Sequence, residues 1–186
     1  MTENELKWTV TSTEELLRTP VFDVMRQHER SATGIEGDYI AMEAHDWAMV
    51  IAEHEGRFLM VRQWRHSSEY LSMEFPGGVV DSGESPADAA ARELSEETGF
   101  KAGRLIHLGS CYPNPALFKN RFHVFLAEEL TPTGEQKLDD DELLTWQNIP
   151  TDEVISSYGR GEYNHALMGT ALFFYMRHKS TRGNSR

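Results

Sequence analysis

Residues 78–100, GVVDSGESPADAAARELSEETGF, constrain this chain more than any other stretch. They carry a full set of helix signals. Ser85 is a favoured N-cap, because its hydroxyl can accept a bond from an otherwise orphaned backbone N–H. Pro86 suits the first helical position, Asp88 suits the positive N-terminal end, and Gly99 suits the left-handed residue that closes a helix. A helix over 85–98 follows. At about 100° per residue, Ala87, Ala90, Ala91 and Leu94 fall on one stripe, which should face a sheet and, being mostly alanine, should lie close to it. Glu93, Glu96 and Glu97 stand at i, i+3 and i+4, so they share the neighbouring face. Like charges at that spacing cost a helix a few tenths of a kcal/mol per pair. Such a face is either solvated or a site for a hard divalent cation, which takes oxygen ligands.

Around this helix the chain reads as strands. Segments 39–43, 47–53 and 57–64 are rich in β-branched and aromatic residues, and His54-Glu55-Gly56 is a hairpin turn between two of them. Residues 7–13 read as an N-terminal strand, 21–25 alternate weakly, and 105–111, 121–127 and 143–149 are strands again. A polar, acidic loop covers 131–142, and 151–158 and 163–178 read as helices. The order is strands, one helix, strands, then terminal helices, which implies an α/β fold with a mixed sheet and helices on its faces. The expected division is a strand-rich N-terminal extension over 1–45, a main domain over 46–180 and a mobile tail over 181–186.

Composition narrows the partners. Thirty acidic residues stand against 18 Lys and Arg, a formal charge of −12. Such a chain repels a phosphate backbone, so nucleic acid is not expected as a partner. A small phosphorylated substrate is still compatible, because a bound divalent metal reverses the local field. The longest apolar stretch, 166–176, is too short to span a bilayer, and the N-terminus lacks the pattern of a secretory signal. A single cysteine, Cys111, permits neither an internal disulfide nor a Cys-rich zinc site. No membrane partner and a cytoplasmic location are therefore expected. The eight histidines show no metal-binding spacing and are given core or surface roles.

The wider pattern decides between the two readings of the acidic face. Gly78, Glu84, Arg92-Glu93-Leu94, Glu96-Glu97 and Gly99-Phe100 stand at the spacing of the Nudix box, with every fixed position matched. The chain thus resembles the Nudix hydrolases. The resemblance implies an α/β/α sandwich that cleaves a nucleoside diphosphate linked to another moiety. It implies Mg²⁺ as cofactor, with Mn²⁺ as a substitute, held by Glu93, Glu96, Glu97 and the carbonyl of Gly77. Gly78, Glu84, Arg92 and Gly99 take structural roles in the box, Arg92 and Glu84 bracing the loop through an ion pair.

Segments outside the box resemble the branch that hydrolyses ADP-ribose and nucleoside diphosphate sugars. Val61-Arg62-Gln63-Trp64-Arg65, followed by Glu74-Phe75-Pro76-Gly77-Gly78, is similar to that branch's upstream motif. It implies Arg65, and with it Arg62, as contacts to substrate phosphates, where geometry alone would also allow snorkelled stems on an edge strand. Tyr112-Pro113-Asn114-Pro115-Ala116 departs from the branch's usual loop, which favours a related nucleotide sugar or broad specificity over ADP-ribose alone. In the acidic loop, the register from Gly161-Glu162 in the resembled branch places Glu142 and Asp140 as candidate catalytic carboxylates, with Asp139 and Asp141 as alternatives because the loop length is not fixed, and with Glu96 on the helix as a further candidate. The branch also implies a homodimer built on the N-terminal strands, with Trp8, Phe22, Tyr39 and Trp47 as candidate aromatic contacts. Two other activities fit less well. A nucleoside triphosphate pyrophosphatase would not need the Arg62–Arg65 segment or the long N-terminus, and a noncatalytic nucleotide-sugar sensor would be expected to lack a box glutamate.

Overall fold

The run Trp47–His54 is apolar at nearly every position, the pattern of a strand covered on both faces. The structure, a computed structural model, describes residues 2–134, 136–139 and 142–183. Its strands are Trp8–Arg18 (β1), Phe22–Ser31 (β2), Glu36–Ala44 (β3), Trp47–His54 (β4), Arg57–Arg65 (β5), Tyr70–Glu74 (β6), Gly77–Val79 (β7), Phe100–Cys111 (β8), Phe122–Pro132 (β9) and Leu144–Pro150 (β10). Its helices are Pro86–Thr98 (α1), Thr151–Ser157 (α2) and Ala166–Gly183 (α3). Strand β4 lies near the middle of a mixed sheet ordered β10-β5-β4-β9-β8, with β6 paired to β5 and β7 to β4. The β4–β9 pair is parallel and the other pairs in this sheet are antiparallel.

Alternation along the strands sorts side chains to two faces. Ala48, Val50 and Ala52 of β4, with Leu59, Phe125 and Ala127, pack against Ala89, Ala90 and Leu94 of α1. Met49, Ile51, Phe58, Met60, Val124 and Leu126 pack on the other side against Val154 of α2 and Met168, Ala171 and Leu172 of α3. The result is the expected three-layer α/β/α sandwich. The β4–β5 hairpin turns through Glu55 and Gly56, both at positive φ (51° and 73°), which suits the twist of a two-residue hairpin.

The chain divides into two compact units. One is the sandwich, formed by Asp46–Cys111 and the residues from Phe122 onward. The other comprises the residues up to His45 together with Tyr112–Arg121. In it β1, β2 and β3 form an antiparallel sheet, and β1 is exposed along its whole length. The segment from Tyr112 attaches to this sheet through backbone bonds between Met42 N and Leu117 O (2.7 Å) and between Lys119 N and Met42 O (3.1 Å). The sequence division had left residues 112–121 with the main domain.

Other boundaries shift for identifiable reasons. Strand β1 runs on to Arg18 because β2 pairs with it throughout. Helix α3 starts at Ala166 rather than 163, because Gly159 N bonds Tyr163 O (2.7 Å) and holds a turn there. It continues through 181–183, which the sequence reading gave to a tail, while 184–186 lie outside the described residues. Among the described residues, no helix is long and apolar enough to cross a membrane.

Helix α1 is capped as expected. Ser85 Oγ accepts from Asp88 N (3.1 Å), and Gly99 is left-handed (φ 71°). Its buried face, however, is Ala89, Ala90, Glu93, Leu94, Glu97 and Thr98. Ala91, expected to face the sheet, is exposed. The helix is turned so that two glutamates, not a fourth alanine, come inward. Ala89→Leu should therefore overfill the core and cost about 1–3 kcal/mol. Ala91→Leu should change stability by less than about 0.5 kcal/mol. Urea denaturation measures both, and equal effects would contradict this orientation.

Candidate active site

The site is built where β7 is pressed between β4 and α1. A Cβ on Gly77 would lie 2.3 Å from the Ala48 carbonyl oxygen, and one on Gly78 would lie 2.3 Å from Glu93 Oε1. Only glycine lets the backbone approach this closely. Gly77 N then donates to Glu97 Oε2 at 2.8 Å. Val50 N donates to Pro76 O (2.9 Å) and Val80 N to Asp46 O (2.9 Å), which fixes the short strand at both ends.

Arg92 organises the loop ahead of the helix. Its Nε and Nη2 donate to the two oxygens of Glu84 at 3.0 Å each, and Nη2 also reaches the Val79 carbonyl at 3.0 Å. Its Nη1 donates to Glu93 Oε1 (2.9 Å) and Glu96 Oε2 (3.1 Å). The hydrogen bonds from Arg92 hold the Glu84 carboxyl below the usual carboxylate range. One guanidinium thus ties the box loop to the helix through its fork geometry.

Glu93 and Glu97 are buried, whereas Glu96 remains 39% exposed along its side chain. Burial pushes the Glu93 carboxyl up to about 7; Arg92 opposes this, and the charges of Glu142 and Glu96 add to it. Burial also drives Glu97 well above the ordinary range, reinforced by Glu93 and Glu142 and opposed by the Gly77 N–H and Arg65. The two buried carboxylates are thus compensated only in part, by Arg92 on Glu93 and by Arg65 near Glu97. All their donor atoms are hard oxygens, the set that suits Mg²⁺ or Mn²⁺. Among the described residues, no three His, Cys, Asp or Glu side chains stand gathered around one point. Arg92 instead engages one oxygen each of Glu93 and Glu96.

The acidic loop is fastened to the C-terminal end of α1. Thr133 N donates to Gly99 O (2.7 Å), Gln136 Nε2 to Glu97 O and Lys137 N to Glu96 O (2.9 Å), satisfying carbonyls that the helix leaves open. Glu142 N bonds Asp139 O (3.0 Å), and Asp139 N returns to Glu142 Oε2 (3.3 Å). This loop brings Glu142 within electrostatic reach of Glu93 and Glu97. Asp140 and Asp141 lie outside the described residues.

Both candidate arginines are held by carboxylates. Arg62 Nε donates to Glu162 Oε2 at 2.8 Å, and its Nη2 engages the other oxygen. Arg65 Nε and Nη2 fork onto Glu74 at 2.7 and 2.5 Å. Burial alone would raise the Glu74 carboxyl, but Arg65 and then the nearby His165 outweigh it and hold it well below the usual range. Arg65 lines a cleft of about 360 Å³ with Trp47, Tyr70, Gly77, Gly78 and His165. Trp47 is the one aromatic candidate on this cleft, while Trp8 packs edge-to-face on Tyr39 (5.5 Å) and Phe22 on Phe118 (6.3 Å) in the other unit. The sequence gives Glu74 no role beyond its place in the upstream motif and gives His165 only a core or surface one. No spacing pattern marks His165, and Glu74 becomes the partner of Arg65 only through the β5–β6 pairing.

The comparisons agree with this architecture. A NUDIX domain profile matches residues 43–168. An ADP-ribose pyrophosphatase of Bacillus subtilis (strain 168) is 36% identical over 109 residues, 58% of this chain and 59% of that protein. The chain thus spans under two thirds of that relative's length. The ADP compounds hydrolase NudE of Escherichia coli (strain K12) is 26% identical over 175 residues, 93% of this chain and 94% of that protein. A solved structure of an ADP compounds hydrolase superposes with a TM-score of 0.85, covering 98% of this chain and 99% of that one at 24% identity, which shows the shared fold. With a profile match over more than half its length, on the segment that forms the sandwich and its glutamate-bearing helix, the chain belongs to the Nudix family.

Proposed function

We propose that this chain is a pyrophosphatase that hydrolyses a nucleoside diphosphate sugar, ADP-ribose or a close relative, to a nucleoside monophosphate and a sugar phosphate. The observation that carries the reading is the buried Glu93–Glu97 pair, set against Gly77 and Gly78 at the rim of a cleft lined by Arg65. Its hard, charge-deficient oxygens support Mg²⁺ as cofactor, with Glu93, Glu96, Glu97 and the Gly77 carbonyl as the groups that would hold it. A divalent ion there supplies charge neutralisation and acidifies water at neutral pH. Arg65 binds and orients a substrate phosphate from the cleft wall, and Arg62 supports it from the same strand. Glu142 orients the attacking water or takes its proton; Asp140 and Glu96 are the alternative carboxylates for that task. Arg92 and Glu84 keep the box loop in place.

We further propose a homodimer. Strand β1 is exposed throughout, and Trp8, Val10, Leu16 and Leu17 lie open on it. An exposed strand of this length is usually covered by a partner, and sedimentation velocity tests whether it is. The cytoplasm is the proposed compartment, in keeping with the lone Cys111.

A panel of nucleoside diphosphate sugars and nucleoside triphosphates, read by phosphate release after phosphatase coupling, tests the activity. Nucleotide sugars should be hydrolysed with Mg²⁺ or Mn²⁺ and not with EDTA; full activity in chelator, or turnover confined to triphosphates, would contradict the proposal. Glu97→Gln keeps the shape but removes a charged oxygen, and kcat should fall by at least about a hundredfold. Wild-type turnover by that variant would remove Glu97 from the site. Glu142→Gln should lower kcat with KM nearly constant, because a water-activating contact is made mainly in the transition state. A rise in KM alone would make Glu142 a substrate guide instead.

A further inference from the structure

The cleft beside Gly77 has two polar walls, and they differ in hydrogen-bonding sense. On one, Arg65 spends Nε and part of Nη2 on Glu74, leaving its remaining N–H donors for the cleft. On the other stands His165, immediately ahead of α3. Its Nδ1 is fully buried and lies 3.1 Å from Glu74 Oε2, without a well-aligned partner. Glu74 is itself only 1% exposed and ionised. A lone pair pointed at a buried carboxylate would be repelled, so Nδ1 is the nitrogen that carries hydrogen. The side chain is nevertheless 29% exposed and lines the cleft, and Nε2, unlike Nδ1, is not a buried unpaired atom. In the neutral imidazole, Nε2 is then an acceptor.

The backbone that carries this ring is held at several points. His165 O accepts from Met168 N (3.1 Å) at the start of α3. Glu162, three residues earlier, accepts from Met73 N through its carbonyl (2.9 Å) and from Arg62 through its carboxylate. The segment is thereby fastened to β5 and β6, the strands that carry Arg65 and Glu74. A preset side chain of this kind discriminates better than a mobile one.

We propose that His165 is a specificity-determining residue, which sets Nδ1 beside Glu74 and offers Nε2 to the cleft as an acceptor alongside the donors of Arg65, so that the pair reads a sugar hydroxyl next to a phosphate. The proposal rests on the reading of the cleft as the substrate site and names what that site recognises. A pocket built to bond a hydroxyl rejects analogues that lack one, because its polar group is left unpaired.

Binding separates this inference from the proposed hydrolysis. The full chain is titrated calorimetrically with ribose 5-phosphate and with ethyl phosphate at pH 8 in the presence of Mg²⁺. Wild type should prefer ribose 5-phosphate by about tenfold. His165→Phe keeps the ring and loses the acceptor, so the preference should shrink to about twofold while ethyl phosphate affinity stays within about threefold. His165→Gln can face Glu74 with its amide nitrogen and the cleft with its carbonyl, and should hold a preference of at least about threefold; it carries the test if the Phe variant does not fold. No preference in wild type, an unchanged preference in His165→Phe, equal loss of both ligands, or loss of the preference in His165→Gln would overturn the role of His165. If the preference behaves as expected but wild type hydrolyses no nucleoside diphosphate sugar, the proposed activity fails and the recognition role stands.

Discussion

Two carboxylates that repel each other, Glu93 and Glu97, are buried side by side on the inner face of α1, and much of the sandwich is shaped to keep them there. Gly77 and Gly78 let β7 approach close enough for a backbone N–H to bond Glu97. The alanines of α1 bring the helix down onto β4. Arg92 offers Glu93 partial compensation while pinning the box loop through Glu84. Burial of uncompensated charge destabilises a fold, and proteins retain it mainly at functional sites. The arrangement is understandable as a site whose missing positive charge arrives with a ligand.

The two arginines of β5 show a complementary economy. Each is forked onto a carboxylate, Arg62 on Glu162 and Arg65 on Glu74, so neither projects as a free cation into an acidic protein. Orientation is gained at the expense of field strength: a guanidinium locked by a bidentate partner presents its remaining donors in one direction. His165 adds a third group to the Glu74 cluster from a different part of the chain. The cleft is therefore organised by groups from β5, β6 and the segment before α3.

The features legible in the sequence were those governed by local rules. The cap at Ser85, the end at Gly99, the Glu55-Gly56 hairpin turn and the strand character of β4 each follow from a few adjacent residues. The pairing of Arg92 with Glu84 followed from the family pattern. Where the reading fell short, the cause was long-range. Strands β6 and β7 flank Pro76 and carry two glycines, so their propensity is poor, and pairing with β5 and β4 makes them strands. The inward turn of Glu93 and Glu97 at the expense of Ala91 runs against hydrophobic patterning, since it is dictated by the site. The attachment of residues 112–121 to β3, and the meeting of His165 with Glu74, depend on contacts that no spacing encodes.

The central claim is that the fold holds the Glu93–Glu97 pair in a state that a divalent cation relieves. A carboxyl raised to about 7 in the folded protein binds more protons folded than unfolded above its ordinary pKa. Its contribution to stability is thus complete at low pH and is lost as pH rises through about 4.5 to 7. The decisive measurement is the unfolding free energy of the EDTA-treated protein between pH 5 and 8, for wild type and Glu93→Gln, repeated with saturating Mg²⁺. Wild-type stability should decline across that range relative to Glu93→Gln, and Mg²⁺ should restore it most at the alkaline end. Parallel pH profiles for the two proteins, or no stabilisation of wild type by Mg²⁺ at pH 8, would contradict the account.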